Sequence, residues 1–383
     1  MHHTVGLQFW RSRIRGETPF LVGALTLGLF LVYGGVWLAD PTQLIERGVL
    51  FVWLLATIAF CIFGVVRHAD ALADLLGEPL GTLILTISVI VIEVSLIAAV
   101  MLEGVTDPTL ARDTMFAVIM IMMNGMVGFS LLSGGLVHVQ QEYNLEGARA
   151  YLAVLIPLSA IALILPNRTM STALEGTMNF WQATLFSLAT MVLYAIFLAL
   201  QTMRHRGFFQ ELRPENGDCD DEQGAADVAV GQRQGVTTHA LLLLLTMLPV
   251  VGLAEYLAVM VEQGIHTLDI PPSVGGALIA ALILAPESIT ALKAALANKL
   301  QRSINLCLGS ALSTVALTVP LVLMIGLATG QSVTLGLEDE NILLLVLTLM
   351  VSMLTFSGAR TNVLHGAVHL LLFFTYVVLI FNP

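Results

Sequence analysis

The sequence predicts an all-α polytopic membrane protein of about eleven transmembrane helices, one N-terminal helix followed by two inverted repeats of five. Three observations point there. Of 383 residues, 57% are hydrophobic and only 11% charged, against about 25% charged in a soluble domain. Apolar runs of about 20 residues, long enough to cross a bilayer as a helix, recur along the whole chain. Two of those runs hold a single acidic residue at matching places, Glu93 in TISVIVIEVSLIAAVM and Glu287 in ALIAALILAPESITAL.

The first span, about 19–38, follows Arg11, Arg13 and Arg15, with no small-residue cleavage site after it, so it reads as a retained helix rather than a secretory signal. Ten more are expected at about 48–66, 81–102, 115–137, 150–165, 179–202, 239–261, 273–296, 304–328, 341–357 and 362–381. The fifth span of the eleven is short and closes at Pro166. The expected organisation is a cytoplasmic N-terminus and first helix over 1–44, a first five-helix repeat over 45–202, an acidic cytoplasmic loop over 203–238 and a second repeat over 239–383.

Basic residues set the orientation. With the N-terminus inside, only Arg47, Arg112 and Arg168 fall outside, and the other 13 lysines and arginines are cytoplasmic. The C-terminus is then periplasmic, and a bacterial inner membrane is the expected location. Five spans per repeat is an odd number, so the halves thread oppositely. Glu93 rides an outward-running helix and Glu287 an inward-running one. Gly81 and Gly275 each stand twelve residues ahead of their glutamate. Inverted repeats with polar sites near mid-membrane are the architecture of secondary transporters.

An ionised carboxylate in hydrocarbon costs several kcal/mol or more unless compensated. Two of them at similar depth repel, so they must hold a proton or share a cation. That competition is itself an exchange mechanism, and Glu93 and Glu287 are the expected cation- and proton-binding residues. Pro286 has no N–H, which removes the helical partner of the Leu282 carbonyl and offers a neutral oxygen beside Glu287. In SINLCLGSALSTVALTVP, Ser303, Ser310, Ser313 and Thr314 share one helix face, with Gly309 allowing close approach. The corresponding helix of the first half carries Asn124, Ser130 and Ser133. Leu282, Pro286, Asn124, Ser310, Ser313 and Thr314 are thus the expected supporting site.

His365 and His369 are spaced i and i+4, as metal ligands often are, but no third ligand is evident, and a proton-relay role is preferred. Asp70, Asp74 and Glu78 stand where they would concentrate cations at a cytoplasmic entrance. His68 and His138, at cytoplasmic helix ends, are expected to face solvent. The segment ENGDCDDEQGAAD, 215–227, is not an EF-hand, because Ala229 stands where that loop needs glutamate. It reads as a solvated acidic linker or a regulatory segment. Cys61, Cys219 and Cys307 form no disulfide framework. A net charge of −11 without a basic patch excludes nucleic acid, and no nucleophile–base pair or zinc motif suggests an enzyme. A passive cation channel and a non-transporting scaffold are the alternatives to an antiporter.

APESITALKAALANKLQRSINLCLGSALSTVALTVP resembles the second α-repeat of the calcium/proton exchangers, the CAX branch of the cation/calcium exchanger superfamily, and GEPLGTLILTISVIVIEVSLIAAV resembles the first. RHADALADLLGEPLG and GARTNVLHGAVHL are similar to the bacterial calcium/sodium/potassium–proton antiporters of that family. The resemblance implies alternating access and central roles for Glu93 and Glu287. It departs at Ile90 and Leu284, where the family usually has asparagine, and at His365, where it usually has glutamate. Calcium takes about 6–8 oxygens, so the poorer oxygen supply makes a monovalent cation plausible beside Ca²⁺. The implied partners are inorganic cations (Ca²⁺, Na⁺ or K⁺), protons and membrane lipid, with a homo-oligomer allowed and no resident cofactor.

Overall fold

The computed structural model describes residues 17–38, 44–76, 80–102, 108–169, 176–210 and 228–381. These form eleven main helices: α1 (Thr18–Trp37), α2 (Leu44–Leu76), α3 (Leu80–Leu102), α4 (Leu110–His138), α5 (Leu145–Arg168), α6 (Phe180–Arg204), α7 (Val228–Leu268), α8 (Ser273–Leu296), α9 (Leu300–Thr329), α10 (Asp339–Thr355) and α11 (Val363–Phe381). Nine are long and apolar enough to cross a bilayer among the described residues. Of the other two, α10 has 17 residues and α3 contributes the shorter apolar stretch Ile87–Ala98. The chain is a multi-pass membrane protein.

Several helices run beyond their expected edges. The short fifth span becomes α5, which continues past its α-helical part through a π turn (Ala160–Ile164) into a 3₁₀ turn (Leu165–Arg168) holding Pro166. Helix α7 starts eleven residues earlier than the apolar run, at Val228, and reaches 41 residues, about 60 Å at the helical rise. The acidic stretch 215–227 lies outside the described residues.

The chain divides into two compact units, residues 1–103 with 220–264 and residues 104–219 with 265–383. In the first, α1, α2 and α7 meet through Phe30, whose ring lies 5.3 Å from Trp37, 5.8 Å from Trp53 and 5.2 Å from Tyr256. Cys61 is a buried free thiol there, donating to the Pro19 carbonyl at 3.3 Å. Arg47 ties α2 to α7 through Gln263 Oε1 at 2.5 Å.

In the second unit, helices approach through small residues, since lipid provides no hydrophobic drive between them. Gly276 of α8 faces the Asp113–Thr114 backbone of α4, where a Cβ would come within 2.7 Å of Thr114 N. Gly366 of α11 faces α4 as closely, with a Cβ position 2.5 Å from Leu132 N. Two short strands, β1 (Gln141–Glu142) and β2 (Arg360–Thr361), pair antiparallel. Beside them the Tyr143 hydroxyl donates to the Gly358 carbonyl. Burial pushes this phenol up to about 12, so it stays protonated as a donor.

Candidate cation and proton site

Helix α8 brings Glu287 into the interior of the second unit, 7% exposed. Pro286 precedes it within the helix, and the missing N–H leaves the buried Leu282 without that partner for its carbonyl. Ser310 of α9 donates its hydroxyl to Glu287 Oε2 at 2.6 Å, the length of a charge-assisted bond. Ser313 returns its own hydroxyl to the Ser310 carbonyl at 3.0 Å, and Thr290 does likewise to the Pro286 carbonyl at 3.0 Å. Thr314 is buried at the start of a π turn, Thr314–Thr318. The predicted polar face of α9 thus does reach the glutamate, through Ser310. Ser303 of the same face bonds Ser130 of α4, Oγ to Oγ, at 2.9 Å.

Helix α4 carries a π turn of its own, Met120–Met126. Met120 stands 27 residues after Glu93, and Thr314 stands 27 residues after Glu287. The break in the helix therefore recurs at the same offset in both halves. A π turn inserts one residue and re-aims the side chains around it.

Asn124, within the first π turn, has hydrogen-bond partners away from the carboxylate. Its Nδ2 donates to Thr348 Oγ1 at 2.7 Å, and its Oδ1 lies 3.2 Å from His369 Nδ1. His369 Nε2 lies 3.0 Å from Thr355 Oγ1. With the amide nitrogen spent on Thr348, Asn124 Oδ1 accepts from His369 Nδ1–H, so a neutral ring accepts from the Thr355 hydroxyl at Nε2. All four side chains are buried. His365, one turn away, is half-buried, and its backbone N–H is capped by Asn362 at 3.3 Å. Thr348 and Thr355 were not among the expected site residues. Their signal was present, since Thr348, Ser352 and Thr355 form a polar stripe on one face of the otherwise apolar run 342–355 of α10.

Glu93 lies on α3 in the first unit and is 1% exposed. The neighbouring Ser95 turns its hydroxyl back to the Val91 carbonyl at 2.6 Å. Of the entrance residues, Asp70 is half-buried on α2, Asp74 lies on the last turns of α2, and Glu78 falls outside the described residues. His68 corrects an expectation. It is 2% exposed rather than solvent-facing, because α1 and α7 cover the end of α2. His138 is half-buried and bonds the Leu296 carbonyl at 2.9 Å. A buried ion pair was also missed: Arg112 Nε bonds Asp113 Oδ1 at 2.7 Å, and its guanidinium reaches the Gly336 carbonyl at 3.2 Å.

With this geometry in view, the chain compares clearly with known proteins. The family described as "Sodium/calcium exchanger protein" matches residues 48–203 and 238–382. The chain belongs to the sodium/calcium exchanger family. Among this exchanger's relatives, the sodium-potassium/proton antiporter ChaA of Escherichia coli (strain K12) is 40% identical over 319 residues, covering 83% of this chain and 85% of ChaA. The putative ionic transporter y4hA of Sinorhizobium fredii is 39% identical, covering 87% of this chain and 89% of y4hA. Among solved structures, native YfkE superposes with a TM-score of 0.71 at 17% identity, covering 95% of this chain and 100% of YfkE. The H⁺/Ca²⁺ exchanger CAX gives 0.64 at 14%, covering 95% of this chain and 88% of CAX. These superpositions establish the exchanger fold. The named relatives are transporters, not enzymes.

Proposed function

We propose that this exchanger is a cation/proton antiporter of the inner membrane. It carries cations out of the cytoplasm against inward-moving protons, by alternating access, with Glu93 and Glu287 each binding cation or proton in turn. The carrying observation is Glu287, a buried carboxylate held by the Ser310 hydroxyl at 2.6 Å beside a proline-broken turn. Burial makes charge without a partner costly, so an ionised Glu287 favours a bound cation and a protonated one releases it. The Ser310 hydroxyl serves both states. It donates to the carboxylate when that is bare, and it can rotate to present a lone pair to a cation. The Leu282 carbonyl supplies a second neutral oxygen.

Na⁺ and K⁺ are favoured over Ca²⁺. Ile90 and Leu284 bring no side-chain oxygen to the turns ahead of the two glutamates, whereas calcium seeks about 6–8 oxygens. The relative at 40% identity is named for sodium, potassium and protons.

The test uses everted membrane vesicles holding a respiration-driven proton gradient. Addition of Na⁺ or K⁺ should collapse the gradient in the wild type, and Glu93→Gln or Glu287→Gln should abolish the response. Normal exchange by both variants would overturn the carboxylate assignment. Cation flux without proton movement would point instead to a channel.

A further inference from the structure

A further group of titratable side chains lies in the first unit. Glu17 stands at the start of α1, His68 near the end of α2 and His239 in α7. His68 Nε2 is 3.4 Å from Glu17 Oε2, and His68 Nδ1 is 3.1 Å from His239 Nδ1. Arg67 lies beside them, its Nη2 3.3 Å from His68 Nε2. The His68 side chain is 3% exposed and that of Glu17 23%, while His239 is half-buried. Helix α3, also packed on α2, carries no titratable residue but Glu93, far from its ends. The distribution of lysine and arginine puts this end of the helices at the cytoplasm.

Two imidazole nitrogens at 3.1 Å form an N–H···N bond only when one carries a hydrogen and the other a lone pair. Nε2 of His68 faces two partners of opposite kind, the donor-only Arg67 guanidinium at 3.3 Å and the acceptor-only Glu17 carboxylate at 3.4 Å, and a hydrogen on Nε2 serves Glu17. The pair then bonds in either of two ways. A neutral His68 accepts at Nδ1 from His239, or a charged His68 donates from Nδ1 to a neutral His239. A second added proton, charging both rings, places N–H against N–H and two cations in contact, and the bond is lost.

We propose that Glu17, His68 and His239 form a proton-operated latch on the cytoplasmic ends of α1, α2 and α7, closed while the histidine pair carries no more than one positive charge and opened when cytoplasmic acid charges both. The latch regulates the antiport reading above and rests on it. It is separate from the transport carboxylates, so proton supply to the cytoplasm tunes the carrier without occupying its site.

The experiment measures exchange in everted vesicles, whose outer face is the cytoplasmic one, as external pH is varied at a fixed gradient and saturating Na⁺. Wild type should show a step in rate as the external face is acidified. His239→Ala should lose the step and at pH 8 match the acidified wild type, with its half-saturating Na⁺ unchanged. Glu17→Gln should move the step toward acid, because the carboxylate stabilises the second charge. An unchanged step in His239→Ala overturns the latch. Should that variant fail to fold, nitrogen-15 resonances of the wild-type imidazoles decide: coupled titration of His68 and His239 supports the latch, and independent titration overturns it. Glu287→Gln separates the two readings, since it should lose exchange at every pH while keeping the coupled imidazole titration.

Discussion

Helices α4 and α9 occupy the same place in the two halves of the sequence, each following a glutamate helix and each broken by a π turn 27 residues beyond that glutamate. Their chemistry differs. Helix α9 presents Ser310 to a carboxylate, whereas α4 presents Asn124 to a histidine and two threonines. The backbone irregularity is common to both, and the side chains on or beside it differ: Asn124 lies within its π turn, and Ser310 lies in the α-helical turn just before its own. On the proposed mechanism, α9 supports a group that changes charge during exchange. Helix α4 closes a neutral hydrogen-bonded chain inside the bundle, where an unsatisfied polar group costs about 1–3 kcal/mol.

The sharpest way to break this contrast is Glu287→Gln. An amide neither takes up a proton nor carries charge, so exchange should fall at least about 100-fold, equivalent to roughly 2.7 kcal/mol, as read by cation-driven collapse of a proton gradient. Next comes Ser310→Ala, which removes a hydrogen bond to a charged group worth about 1.5–3 kcal/mol. Apparent Na⁺ affinity should weaken about 10-fold, and Ser310→Thr should restore most of it. On the α4 side the expected loss is in stability. Asn124→Ala takes away the amide partner of His369 Nδ1 and one of the bonds at Thr348 Oγ1, and thermal unfolding in detergent should show a loss of about 1–3 kcal/mol. Thr348→Val has the smallest effect, about 1 kcal/mol by the same measurement, because the hydroxyl gives up one ordinary bond to Leu344 and one from Asn124. If Asn124→Ala left stability intact but weakened Na⁺ affinity as much as Ser310→Ala does, α4 and α9 would share one role.

Much of the architecture was legible because a bilayer demands about 20 apolar residues per helix, and the chain supplies them one after another. Even α10, at 17 residues, was visible as an apolar run. The Glu287–Ser310 contact was legible too, since a carboxylate in hydrocarbon needs a partner and the next helix carries hydroxyls on one face. Asn124 was harder to read. A straight α-helix drawn through α4 misjudges which face each residue takes, because the π turn adds a residue and rotates the rest of the helix by about 100°. Helical periodicity places a residue on a face without saying which distant helix covers it. That is why His68, whose partner His239 lies 171 residues on, was expected at the surface. Arg112 was read as a loop cation for the same reason, its carbonyl partner Gly336 being 224 residues away.

The most direct test of the central claim is proton release on cation binding. Titrating Na⁺ into the purified protein near neutral pH, in buffers of different ionisation enthalpy, reads how many protons leave as each cation enters. Release that accompanies binding in the wild type and is lost or reduced in Glu287→Gln is the predicted result. Na⁺ binding of undiminished affinity with no proton released, or the same release from Glu287→Gln, would contradict it.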